Sequence, residues 1–123
     1  MAGTYTYIFT AGPISAEKGV TVTIEARIMN TYHTAITLTA TGRVNGTALM
    51  FGNISKVVAA GAIESWYDRF IMPDRDVLVS VESWYLASDN QWYSDDKTTR
   101  AITLIPGQPV PSSAFRNLSC VVS

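Results

Sequence analysis

An all-β fold, an antiparallel sandwich of about seven short strands, is predicted by three observations. Apolar residues recur with a period of two rather than 3.6. Turn signals punctuate the chain every eight to twelve residues or so. The chain has 123 residues, 47% of them apolar and only 15% charged. That supplies one core, with too few charges for a disordered polyampholyte or a coiled coil.

The elements follow in order. Residues 4–10 form a first strand with Tyr5, Tyr7 and Phe9 on one face, stopped by Ala11, Gly12 and Pro13. Residues 20–28 give the strongest signal, with Val20, Val22, Ile24, Ala26 and Ile28 on one side and Thr21, Thr23, Glu25 and Arg27 on the other. Next, Ile36, Leu38, Ala40 and Val44 alternate against Thr37, Thr39, Thr41 and Arg43, with Gly42 marking a bulge or a close backbone approach. Asn45 and Gly46 predict a type I′ turn, whose two central residues both need positive φ, so that residues 47–51 pair back. Val57 and Val58 lead to Ala59, Ala60 and Gly61, and residues 62–71 form a strand closed by a turn at Met72, Pro73 and Asp74. Val77, Val79, Val81, Ser83 and Tyr85 alternate with Leu78, Ser80, Glu82 and Trp84. A turn at Asp89 and Asn90 precedes Trp92 and Tyr93, and residues 98–105 make the last strand before Pro106 and Gly107.

Two segments result: a sandwich domain over residues 1–105 and a C-terminal extension over residues 106–123. The extension is stiffened by Pro106, Pro109 and Pro111 and ends in an apolar stretch with Leu118, Cys120, Val121 and Val122. That tip is expected either to cover an edge of its own sandwich or to add a strand to a neighbouring subunit.

Composition narrows the partners. Nine Lys and Arg against ten Asp and Glu give a formal net charge of -1, without the basic excess that nucleic-acid or anionic-lipid binding requires. Neither nucleic acid nor membrane is an expected partner. One Cys and one His exclude an internal disulfide and the usual Cys/His zinc sites. No apolar window approaches the roughly 18 residues of a membrane helix, and no basic region followed by an apolar run opens the chain. Synthesis in the cytoplasm is therefore expected.

The pattern has a family likeness. The strand at residues 19–28, the polar break Asn30, Thr31 and Tyr32, the Asn45 and Gly46 hairpin, residues 57–61 and residues 70–77 resemble the cell-adhesion-related domains of bacteria, which are immunoglobulin-like and fibronectin-type sandwiches. Residues 79–85, Trp92, Asp95, Asp96 and residues 98–104 resemble the last strands of sandwich modules in prokaryotic and viral surface proteins. The likeness spans residues 9–105 and implies an immunoglobulin-like or fibronectin-type sandwich with a Pro-rich C-terminal extension. A standalone copy of such a domain resembles the small structural proteins of tailed phages and related viruses.

Candidate chemistry is sparse. His33 and Cys120 stand far apart in sequence without a nucleophile turn, and no Ser-His-Asp order, metal triad or paired carboxylates emerge. No catalytic residue, metal or cofactor is expected. Asp89, Asp95 and Asp96 flank one hairpin as oxygen donors of the kind calcium takes, but solvated turn formers look the same. The aromatic residues are more informative, because Trp66, Trp84 and Trp92 each precede a Tyr on a presumed strand. Adjacent strand residues point to opposite faces, so one member of each pair goes to the core and the other outward. If the strands are neighbours, an exposed aromatic band results, fit for sheet packing, a subunit interface or sugar stacking.

The expected function is non-enzymatic: a virion capsid decoration or cement subunit that binds copies of itself or other particle proteins. Trp66, Trp84 and Trp92 would serve as anchors, with strand addition from residues 4–9 and through Leu118, Val121 and Val122. The alternative is a carbohydrate-binding or adhesive module, extracellular or at the cell surface, in which the same tryptophans stack on a glycan.

Overall fold

The two-residue period is realised as two facing sheets in the computed structural model, which describes residues 3–106. The strands are β1 (Thr6–Ala11), β2 (Ser15–Glu17), β3 (Thr21–Asn30), β4 (Ile36–Val44), β5 (Thr47–Leu49), β6 (Lys56–Val58), β7 (Ile63–Ile71), β8 (Val77–Leu86) and β9 (Trp92–Ile105). One sheet runs β1-β3-β7; the other runs β2-β9-β8-β4-β5, with β6 also pairing β4. The pairs are antiparallel except for β2, whose Ser15, Ala16 and Glu17 lie parallel to Thr103, Leu104 and Ile105. The expected extension, from residue 107 onward, lies outside the described residues, and so does its predicted strand tip.

Alternation builds the core. Val22, Ile24, Ala26 and Ile28 of β3 face Leu38 and Ala40 of β4 and Val77, Val79 and Val81 of β8, all buried. Val20 precedes β3 and is exposed, which shortens the predicted inner row by one residue. In β1 the buried residues are Thr6 and Ile8, so Tyr7 and Phe9 stack on the outer side at 5.5 Å. Asn45 and Gly46 take φ of 49° and 88°, the positive pair that the predicted hairpin turn requires. Gly42 marks a close approach: a Cβ there would stand 2.6 Å from the Ser80 carbonyl and 3.1 Å from the Phe51 ring.

Residues 92–93 and 98–105 belong to one 14-residue strand rather than two. What joins them is a slip in register. Glu82 of β8 faces Lys97 and Trp84 faces Ser94, so Asp95 and Asp96 together oppose Ser83. This bulge breaks alternation and points both carboxylates at β1. Asp95 accepts the N–H groups of Thr4, Tyr5 and Thr6 at 3.0, 3.1 and 2.8 Å, and the Thr6 hydroxyl at 2.6 Å. Asp96, itself buried, accepts the Ile8 N–H at 2.9 Å. The Thr6 proton is committed to a carboxylate that can only accept, so Ser83 Oγ, 2.7 Å away, donates to Thr6 Oγ1. Ser83 Oγ in turn accepts the Asp96 N–H at 3.0 Å. The free edge of β1 is thus closed by side chains of the opposite sheet instead of by another strand.

Asn30 secures the same end. Its Nδ2 donates to the carbonyls of Thr34 and Val58, both at 2.9 Å, and its Oδ1 accepts the Tyr32 N–H at 2.8 Å.

Replacing Asp96 by alanine strands the Ile8 N–H in the interior, and urea denaturation is expected to show a loss of about 2 kcal/mol. Amide exchange at Thr6 and Ile8 is expected to accelerate in that variant, while the β4 and β8 amides stay protected.

Candidate functional site

Register places a row of side chains along the outer face of the larger sheet. Trp84 of β8 lies between Ser94 of β9 and Thr39 of β4; the next row is Lys97, Glu82 and Thr41, and the one after is Thr99, Ser80 and Arg43. Trp92 stands opposite Leu86, diagonal to Trp84 and on the same face. From the Leu86 row to the Ser80 row is six residues of strand, roughly 20 Å.

Two depressions share this surface. One, of about 370 Å³, is lined by Thr39, Thr41, Asn53, Ser55, Trp84 and Trp92. The other, of about 490 Å³, includes Thr41, Arg43, Met50, Ser80, Glu82, Trp84, Lys97 and Thr99. Thr41 and Trp84 belong to both, so the two form one groove with Trp84 at its middle. The Trp84 indole N–H donates to Thr41 Oγ1 at 2.8 Å, which fixes the ring, and Trp92 stands 39% exposed beside it.

Two of the three tryptophans singled out in the sequence therefore meet on one face. Trp66 does not. It sits on β7 in the other sheet, is 2% exposed, and donates its indole N–H to the Ile54 carbonyl at 2.7 Å. Its parity with the core residues of β7 sends Tyr67 outward instead. Leu118, Val121 and Val122 lie outside the described residues. The polar residues flanking Trp84 had only their outward parity as a signal; that β4 adjoins β8 is a long-range pairing that no local pattern specifies.

The acidic hairpin has other employment. Asp95 and Asp96 hold β1, and Asp89 accepts the Gln91 N–H at 3.0 Å and the Tyr93 hydroxyl. Among the described residues no group of three or more His, Cys, Asp and Glu is placed to hold a metal. Tyr5, Tyr32, Tyr85 and Tyr93 close this end of the sandwich, with Tyr5 edge-on to Tyr85 at 4.7 Å and Tyr85 stacked on Tyr93 at 5.7 Å. The hydrogen bond to Asp89 holds the Tyr93 phenol above its ordinary range, and burial does the same for Tyr85. His33, exposed, packs against Tyr32 with ring centres 4.1 Å apart.

On the outer face of the smaller sheet, Glu25 receives Arg27 Nε at 2.9 Å, Arg27 Nη2 at 3.1 Å and the Ser65 hydroxyl at 2.6 Å. The Arg27 hydrogen bonds, then that of Ser65, hold the Glu25 carboxyl down to about 2.

No family model matches the chain, and no curated protein does. Solved structures do. A CARDB domain from Pyrococcus furiosus, crystallised in complex with di-metal ions, superposes with a TM-score of 0.58 at 11% identity over 84% of this chain and 94% of its own. The C-terminal domain of Wzt gives 0.58 at 11% identity over 87% and 75%. This chain is an immunoglobulin-like β-sandwich. The same sandwich recurs in the Pseudomonas fluorescens DNA glycosylase AlkC bound to abasic-site DNA, with a TM-score of 0.53 at 10% identity over 80% of this chain and 30% of the enzyme. Neighbours so different in description share an architecture, and function has to be read from the faces this chain puts on it.

Two outcomes check these placements. Trp66→Ala is expected to cost about 3 to 5 kcal/mol of stability, whereas Trp84→Ala and Trp92→Ala cost about 1 kcal/mol or less; chemical denaturation separates them. Because the Glu25 carboxyl is depressed in the fold, its stabilising contribution is complete above the ordinary carboxylate range and is lost as pH falls from about 5 toward about 2. Urea midpoints across that window are expected to drop less for Glu25→Gln than for the parent.

Proposed function

We propose that the chain is a non-enzymatic binding module that holds a carbohydrate chain in the groove shared by Trp84 and Trp92. The observation that carries this reading is the pairing of two outward indoles with neutral hydroxyl and amide side chains, Thr39, Thr41, Asn53 and Ser55, in one depression. A sugar ring presents an apolar C–H face and a rim of hydroxyls. An indole takes the first; Thr41, Asn53 and Ser55 can donate to the second, and Thr39, whose hydroxyl proton goes to the Ile54 carbonyl, can accept from it. The hydrogen bond from Trp84 to Thr41 orders the ring before any ligand arrives, which reduces the entropic cost of binding. Among the described residues Glu82 is the single carboxylate along the groove, whereas glycoside hydrolysis needs two flanking the bond.

A second reading is favoured by a different face. Tyr7, Ile63, Tyr67 and Ile71 are 41%, 46%, 56% and 61% exposed on the outer side of the smaller sheet. Exposed apolar side chains set around the Glu25 and Arg27 pair suit a virion capsid decoration or cement subunit that seats on a particle protein or a second copy. Under this reading the protein resides on a virion; under the first it works at a cell surface or outside the cell.

A glycan array followed by calorimetric titration tests the lead. The parent chain is expected to hold at least one oligosaccharide, and Trp84→Ala and Trp92→Ala to weaken it tenfold or more while keeping the parent circular dichroism. An array without a hit, together with a defined homo-oligomer in light scattering that Tyr67→Glu dissociates, transfers the assignment to the subunit reading.

A further inference from the structure

The groove is neutral at one end and charged at the other. Between Trp84 and Trp92 its lining, among the described residues, contains no ionisable side chain. Beyond Trp84 it carries Arg43, Lys97 and Glu82. Lys97 and Glu82 face each other across β8 and β9 and pair at 3.5 Å, so their charges largely cancel. Arg43 is exposed and has no acidic partner among the described residues. It ends the row that runs Thr99, Ser80, Arg43, with Ser80 beside it and Thr99 one strand beyond. Two cations stand here against one anion, on a chain whose formal net charge is -1.

We propose that the saccharide held in the groove is acidic, with one ring stacked on Trp84 and a carboxylate further along the chain received by Arg43. This rests on the carbohydrate reading above and adds the ligand's charge and its direction. A guanidinium presents a planar fork that matches a carboxylate in bidentate fashion, and the Ser80 hydroxyl on the neighbouring strand offers a further donor. From Thr39, opposite Trp84, to Arg43 is four residues of β4, roughly 13 Å. The acidic sugar is therefore not the ring on the indole but one beyond it, on the side away from Trp92. Glu82 works against such a ligand and is restrained by Lys97.

The test uses the full chain and oligomers of galacturonate, glucuronate and mannuronate, each with its methyl ester, which keeps every ring and removes every charge. Calorimetry is expected to find at least one acid bound about tenfold more tightly than its ester. Arg43→Gln is expected to remove most of that difference by weakening the acid far more than the ester. Glu82→Gln frees Lys97 and is expected to tighten the acid several-fold, and salt at about 0.5 M to bring acid and ester together. If every ester binds as tightly as its acid, and Trp84→Ala still abolishes both, the acidic ligand is wrong and the carbohydrate reading stands. If no oligomer binds, the acidic ligand is wrong and the glycan array decides the carbohydrate reading; if an oligomer binds and Trp84→Ala changes nothing, both fall.

Discussion

The closed edge of β1 and the outward display of Trp92 both depend on one slip in register between β8 and β9. Asp95 and Asp96 share the place opposite Ser83, and the slip turns two neighbouring carboxylates toward the same strand edge. It also resets the parity of β9. Counting back from the buried Ile102 by twos, an unbroken strand would send Trp92 inward. With the slip, Tyr93 shares the inner side with Tyr85 and Trp92 joins Trp84 outside. The clamp that closes β1 and the arrangement that displays the second tryptophan are the same structural event.

The clamp solves an edge problem. Among the described residues β1 pairs with β3 alone, which leaves the N–H groups of Thr6 and Ile8 without strand partners there. A neutral acceptor would satisfy them, but carboxylates form shorter and stronger bonds and reach from the opposite sheet, so they also resist separation of the layers. The groove then lies over β8, which pairs with β4 in unbroken register on one side and with β9 across the single bulge on the other, and its side chains inherit that rigidity. Rigid walls and an indole already hydrogen-bonded to Thr41 suit a surface that binds without rearranging.

Much of this was legible in the sequence, for reasons that differ from element to element. β3, β4 and β8 announce themselves because each has one face in the core, and a two-residue period is what burial of one face writes. The turn at Asn45 and Gly46 is local chemistry and equally readable. β2 was not visible: three residues, Ser15 to Glu17, carry no period, and their parallel pairing with β9 is set by distance in space. The continuity of β9 was hidden because Asp95 and Asp96 look like solvated turn formers, whereas their partners belong to β1 and β8. The aromatic band was readable in kind but not in membership. Parity within a strand was correct for Trp84, yet which sheet holds β7, and so which way Trp66 points, is a property of topology.

With three tryptophans in the chain, their indole N–H resonances give a direct measurement of the central claim, that Trp84 and Trp92 share a working face and Trp66 does not. A proton–nitrogen spectrum recorded while the tightest-binding oligosaccharide is added is expected to shift the Trp84 and Trp92 signals together and leave Trp66 unmoved. A shift at Trp66 with Trp84 and Trp92 unchanged would contradict the account.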